Sequence, residues 1–303
     1  MNIIKYKNWF FGLSFLIIIP GIIALSTWGL KLGIDFEGGT LWEIKFADEV
    51  KTPQVDLNKV HAAISADGGE VSSIAQTTDR QVLARLRATD ENKIKDIKSK
   101  LIDQFGQTED IRLETVGPVI SKELTKKALE AVVISILAIV AYITWAFRKV
   151  PKPVSSLAFG VCTIIALIHD VIVVAGVFAI LGHFFAIEID SLFITALLTV
   201  IGFSVHDTIV VFDRIRENLH KHGGYNFEEV VNNSLLQTLG RSLTTSLTVV
   251  FVLLALYMFG GESIKNFVLA LLVGIVSGTY SSIFNASPLL VVWSKFSFAK
   301  SRP

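Results

Sequence analysis

Six separate stretches of this 303-residue chain are long and apolar enough to cross a lipid bilayer. They cover residues 9–28, 128–147, 154–181, 191–212, 243–259 and 266–293. A helix rises about 1.5 Å per residue, so about 20 apolar residues cross the hydrocarbon core. Inside that core the backbone finds no water to bond, and each stretch must satisfy its own amides as a helix. The third and sixth are long enough to tilt. A hydrophobic share of 51% and a mean hydropathy of +0.57 put the chain outside the soluble globular class.

Lysine and arginine set the expected orientation, because they are retained on the cytoplasmic side. With the N-terminus inside, the inner segments carry Lys5, Lys7, Arg148, Lys149, Lys152, Arg214, Arg216, Lys221 and Arg241, then Lys295, Lys300 and Arg302. The outer loop 182–190 has no Lys or Arg but contains Glu188 and Asp190, and the loop 260–265 has only Lys265. Both termini are therefore expected in the cytoplasm. The first apolar run is longer than a signal-peptide core and is bracketed by Trp9 and Trp28, which suits an uncleaved span with interface anchors. Cys162 is the single cysteine and lies in the third run, so no intrachain disulfide forms.

The segment 32–123 is the part expected to fold outside the bilayer, with 1–31 before it and the remaining spans in 124–303. Its order reads strand 40–46, helix 53–66 with Pro53 near its start and Asp67-Gly68-Gly69 ending it, strands 70–76 and 81–87 around a turn at Thr78-Asp79, helix 90–105, strand 111–116. That β-α-β-β-α-β order is the split ferredoxin-like arrangement. The fold class is thus a polytopic α-helical membrane protein of six helices, with one ferredoxin-like α+β periplasmic domain between helices 1 and 2. From residue 35 to 123 there are 12 Lys+Arg and 17 Asp+Glu, a net of −5. Nucleic acid is not expected as a partner of such a surface. Arg85 and Arg87 alternate on one strand, as a solvated face or a site for an acidic or polypeptide ligand. Before the first strand, Asp35, Gly38 and Gly39 make a rigid turn: paired glycines permit positive φ and close backbone approach. A phosphate loop is disfavoured, since the G-x-G-x-x-G spacing is missing.

Charged groups inside the apolar runs are the candidate functional residues. Asp207 lies within the fourth run, and a charge at that depth costs about 2.5–3.5 kcal/mol on insertion scales. Arg241 opens the fifth run as its candidate partner. Two phrases repeat, Ile168-His169-Asp170-Val171 and Val205-His206-Asp207-Thr208. A metal site is disfavoured, because the two pairs are expected at different depths and neighbouring helix residues point about 100° apart. A proton relay through Asp207 and Arg241, with Asp170, His169 and His206 as lesser members, suits them better. A static Asp207–Arg241 ion pair locking two helices is the competing reading. Ser242, Thr244, Thr245, Ser246 and Thr248 follow Arg241 as hydroxyls that could line a polar lane. Gly274 and Gly278 form a small-residue helix-packing face. Residues 226–239, with Asn226 and Glu229 as a capping box, are expected as a separate interfacial helix on the inner leaflet.

These phrases carry a family resemblance over essentially the whole chain. Its specific parts are Gly33-Ile34-Asp35-Phe36-Glu37-Gly38-Gly39-Thr40, Val116-Gly117-Pro118, the run from Ile201-Gly202-Phe203-Ser204-Val205-His206-Asp207 to Arg216-Glu217-Asn218, and Gln237-Thr238-Leu239-Gly240-Arg241-Ser242 with Phe259-Gly260-Gly261. The chain resembles the smaller-subunit branch of the SecD–SecF protein-export family, within the resistance-nodulation-division superfamily. The resemblance implies an accessory, non-enzymatic role in protein export in the bacterial inner membrane, driven by the proton gradient, with no cofactor and no metal. It implies SecD, the SecY-E-G channel, exported unfolded preprotein and the lipid bilayer as partners. Asp207 and Arg241 match the family's intramembrane acid and base, and Asp170 matches a further family position. A stand-alone exporter of small molecules or lipids from the same superfamily is the alternative, and it would require a second six-span bundle.

Overall fold

The structure is a computed structural model that describes residues 2–47, 55–66, 69–78, 80–87, 91–148, 150–151, 154–221 and 226–300. The expected helix start at Pro53, the helix end at Asp67 and Gly68, the turn residue Asp79, Lys149, Lys152 and Arg302 lie outside the described residues. Residues Met1–Lys31 and Glu130–Pro303 form one compact unit, and Leu32–Leu129 form the other. The sequence expectation ended the second unit at residue 123; the division at 129 falls inside a continuous helix.

The smaller unit begins with a short helix α2 (Ile34–Glu37), followed by β1 (Gly39–Phe46), α3 (Leu57–Ala66), β2 (Val71–Thr78), β3 (Gln81–Leu86), α4 (Glu91–Phe105) and β4 (Thr108–Val116). Here α1 (Lys7–Thr27) is the preceding helix of the larger unit. The four strands form one antiparallel sheet in the order β2-β3-β1-β4, with Trp42 opposite Ala84 on β3 and Leu113 on β4. Strand side chains alternate between faces. Trp42, Ile44 and Phe46 therefore meet Val82, Ala84 and Leu86 on one face, where Val60 and Ile64 of α3 and Ile94, Ile97 and Leu101 of α4 cover them. Ile102, next to Leu101 on α4, is exposed. Arg87 pairs with Glu70 at 2.9 Å. Burial holds the half-buried Arg85 guanidinium below its ordinary value, and the charge of Glu37 opposes that shift.

The turn into β1 is fixed by sterics. Phe36 and Glu37 donate their amides to Gly33 O, and Gly38 donates to Ile34 O. Gly38 and Gly39 then take φ of +79° and +135°. A Cβ on Gly39 would come within 2.8 Å of Leu86 O, so both the backbone angle and the space demand glycine.

The larger unit holds α1, the later part of α5 (Pro118–Ala146), α6 (Ser156–Phe185), α7 (Ser191–Lys221), α8 (Phe227–Phe259) and α9 (Glu262–Ser281). A π-helical segment (Ser282–Ala286) joins α9 to α10 (Ser287–Lys300). Six helices are long and apolar enough to cross a membrane, the sixth running through α9, the π segment and α10. Helices α1 and α6 touch backbone to backbone, since a Cβ on Gly176 would lie 2.5 Å from Gly21 Cα. Gly274 and Gly278 of α9 face Val200 and Ser204 of α7, so this small-residue face is used inside the chain and is not open to a partner. By contrast α5 holds to the bundle by one end. Ile143 and Phe147 are buried, and Phe147 stacks on Phe159 at 5.0 Å, while Ile134, Leu137 and Trp145 are exposed.

Residues 226–239 do not form a separate interfacial helix. Asn226 caps the helix by accepting from the Glu228 amide at 3.2 Å, and α8 then runs unbroken to Phe259. No proline interrupts this stretch, and Gly240 costs only about 1 kcal/mol inside a helix. The stripe of Phe227, Val230, Val231 and Leu235 is buried in protein. Polar bonds tie the same stretch down: Asn218 Nδ2 donates to Ser234 Oγ at 2.8 Å, and the Ile3 amide donates to Asn232 Oδ1 at 2.8 Å. Glu228 receives Lys7 at 3.4 Å and Lys295 at 2.8 Å. An amphipathic stripe reads alike whether its apolar side meets lipid or a neighbouring helix.

Gly176→Ala should part α1 from α6 and cost about 1–3 kcal/mol, measured as a lower midpoint of unfolding in detergent. Gly202→Ala, where a Cβ meets nothing within 4 Å, should leave that midpoint unchanged or raised. Gly39→Ala should destabilise the smaller unit by about 1–3 kcal/mol, read by denaturant titration of Trp42 fluorescence.

Candidate functional site in the helix bundle

The two aspartates of the bundle sit on opposite sides of α9. Asp170 lies midway along α6 and is 1% exposed; Asp207 lies midway along α7 and is 2% exposed. Ser204, one turn before Asp207, reaches Asp170 directly.

Asp170 is enclosed by donors. Ser204 Oγ of α7 donates to its Oδ2 at 2.6 Å and Ser281 Oγ of α9 to the same oxygen at 2.7 Å. Ser277 Oγ donates to Oδ1 at 2.8 Å, and His169 Nδ1 lies 3.0 Å from Oδ1. One carboxylate thereby joins α6, α7 and α9. A carboxylate can accept about four such bonds, so its capacity is filled. His169 lines an apolar groove of about 560 Å³ with Ile17, Leu254, Val276 and Tyr280, and its Nε2 is buried with no partner among the described residues.

Asp207 is held more sparsely. Ser246 Oγ of α8 lies 3.4 Å from its Oδ2, long for a bond between oxygens, and Thr279 Oγ1 of α9 lies 2.6 Å from Ser246 Oγ. A further hydroxyl bridge joins α7 to the π segment: Thr208 Oγ1 lies 2.9 Å from Ser282 Oγ, which donates to Ser204 O at 3.1 Å.

The expected Asp207–Arg241 ion pair is absent among the described residues. Arg241 is exposed on α8, about 7.5 Å along the helix from Ser246 at 1.5 Å per residue, on a different side of it. Its spacing in the chain suggested a partner that the helix rotation does not supply. His206 is exposed on α7, next to Asp207 in the chain and close enough for its charge to act on that acid. No group of three or more His, Cys, Asp or Glu suited to a metal ion occurs among the described residues. Asp35, Gly38 and Gly39 belong to the smaller unit.

Of the hydroxyls after Arg241, only Ser246 reaches an acid. Thr245 and Thr248 bond back to Arg241 O and Thr245 O, as hydroxyls in helices commonly do. The site residues that sequence reasoning missed are Ser204, Thr208, Ser277 and Thr279. Their signal was present as hydroxyls four residues apart in apolar runs, Ser204/Thr208 and Ser277/Ser281.

Residues 96–296 match the family described as protein export membrane protein SecD/SecF, C-terminal, and residues 23–50 match the SecD/SecF GG motif. The chain is 52% identical over 307 residues to the protein translocase subunit SecF of Thermobaculum terrenum, covering 99% of this chain and 96% of that protein. It is 42% identical to the SecF of Anaerolinea thermophila, covering 97% and 94%. Among solved structures it is similar to SecDF from Thermus, described as a translocon-associated membrane protein, with a TM-score of 0.82 and 33% identity. That likeness covers 97% of this chain but 39% of the longer SecDF chain. The chain belongs to the SecD/SecF family of protein-export membrane proteins.

Proposed function

We propose that this chain is a non-enzymatic accessory subunit of the Sec protein translocase, in which proton movement through the helix bundle helps complete preprotein export. It sits as a multi-pass protein in the bacterial cytoplasmic membrane with both termini inside, as the distribution of Lys and Arg favours. A SecD-type chain supplies the second bundle, and the pair acts at the SecY-E-G channel on unfolded preprotein. The 39% share of the SecDF chain that this one spans supports a missing half.

The observation that carries the proton role is the unequal support of the two buried acids. Asp170 has four contacts at 2.6–3.0 Å, whereas Asp207 meets Ser246 at 3.4 Å and, beside it, Thr279. A protonated carboxyl needs an acceptor for its O–H and an ionised one needs donors. A small shift of α8 or α9 changes which of these Asp207 finds, so helix movement and protonation become linked. Arg241 fits a second role. It stands exposed beside the exposed apolar side chains Leu243 and Leu247, where a guanidinium in a membrane requires an anion. That anion comes from the partner bundle, and α5, with Ile134 and Leu137 bare, offers a further face for the same partner.

In cells, Asp207→Asn should abolish proton-driven export of a precursor while the complex with the SecD-type partner still forms. Normal export would refute the proton role, and loss of the complex would mean that Asp207 serves assembly. Arg241→Gln should leave the unfolding midpoint of the purified chain within about 0.5 kcal/mol of the parent, since it breaks no bond inside the chain. The same change should weaken co-purification with the partner or stop export. A marked loss of stability in the isolated chain would place Arg241's partner within this bundle.

A further inference from the structure

Helix α9 is held from three directions at one level. Ser277 and Ser281, one turn apart, bond to Asp170 on α6. Gly278 rests on Ser204 of α7, where an added Cβ would lie 3.0 Å from Ser204 Cβ. Thr279 falls between the two serines in sequence. At about 100° per residue it projects from the other side of the helix, towards Ser246 of α8. A turn of α9 about its axis that broke the Asp170 bonds would therefore carry Thr279 away from Ser246, the contact of Asp207.

We propose that Asp170 is a positioning residue for Asp207. Its carboxylate fixes the rotational setting of α9 through Ser277 and Ser281 and the setting of α7 through Ser204, and so keeps the Ser246–Thr279 pair at Asp207. The functional meaning of this arrangement rests on the proton role proposed above; the geometric coupling does not. The bonding pattern favours this over a second proton carrier. Asp170 bonds directly to hydroxyls of two other helices at 2.6–2.8 Å, whereas the Ser246 contact of Asp207 is 3.4 Å long and gives way to a smaller shift. His169, with Nδ1 on Oδ1, completes the same clasp from the adjacent position of α6.

Infrared spectroscopy of the full chain, reconstituted with its SecD-type partner in vesicles of phosphatidylethanolamine and phosphatidylglycerol, tests the coupling. With 13C-carboxyl aspartate, the Asp207 band is the one removed by Asp207→Asn. Thr279→Val sets the reference shift for losing the α9 contact. Asp170→Asn, and Ser277→Ala combined with Ser281→Ala, should move the Asp207 band to the position seen with Thr279→Val. Adding Thr279→Val to Asp170→Asn should move it no further. An Asp207 band that stays at its parent position in Asp170→Asn while Thr279→Val shifts it would overturn the proposal. If Asp170→Asn fails to assemble, the paired serine variant makes the same comparison with the carboxylate retained. The pH dependence of the band judges the other reading separately. A band that shifts with Asp170→Asn but never titrates would leave the positioning role standing and remove the proton role from Asp207.

Discussion

A polar group inside hydrocarbon must find its partners within the protein, and Asp170 finds four. Asp170 draws hydroxyls from two other helices and an imidazole from its own. Between membrane helices the hydrophobic effect gives no net pull, so close packing and bonds of this kind set the geometry. Gly274 and Gly278 bring α9 against Val200 and Ser204 of α7, so Ser277 and Ser281 of α9 and Ser204 of α7 meet at one carboxylate. The hydroxyl cluster and the glycine face are thus one device.

Much of the fold was legible in the chain. Six apolar runs, a strand–helix order and a glycine pair each follow from constraints that act locally, namely hydrocarbon thickness, side-chain period and backbone angle. The site was legible only as a set of expensive residues. Asp170 and Asp207 stood out because a charge in an apolar run is conspicuous. Their actual partners, Ser204, Ser277 and Ser246, are uncharged and occur often enough in helices to carry little signal. Which serine faces an acid depends on the rotation of one helix against another. That rotation is set by the contacts of Gly274 with Val200 and of Gly278 with Ser204, which no single segment encodes.

Arg241 shows the limit of the same reasoning. An acid within one apolar run and a base opening the next suggest an ion pair, yet rotation places the base outside and a hydroxyl inside. The continuous α8 shows it for length: the stripe from Phe227 to Leu235 needed covering, and protein covers it. In both cases the residues show type and spacing, while the rotation and packing of one helix against another decide what each side chain meets.

The π segment from Ser282 to Ala286 has a consequence for the sixth crossing. Widened turns take up more residues for each rotation, so the chain leaves the segment out of step with the helix that entered it. α9 and α10 therefore aim independently: the first half presents Ser277 and Ser281 to Asp170, while Asn285 within the segment accepts from Ser14 of α1. A uniform helix would have had to choose one of these two allegiances.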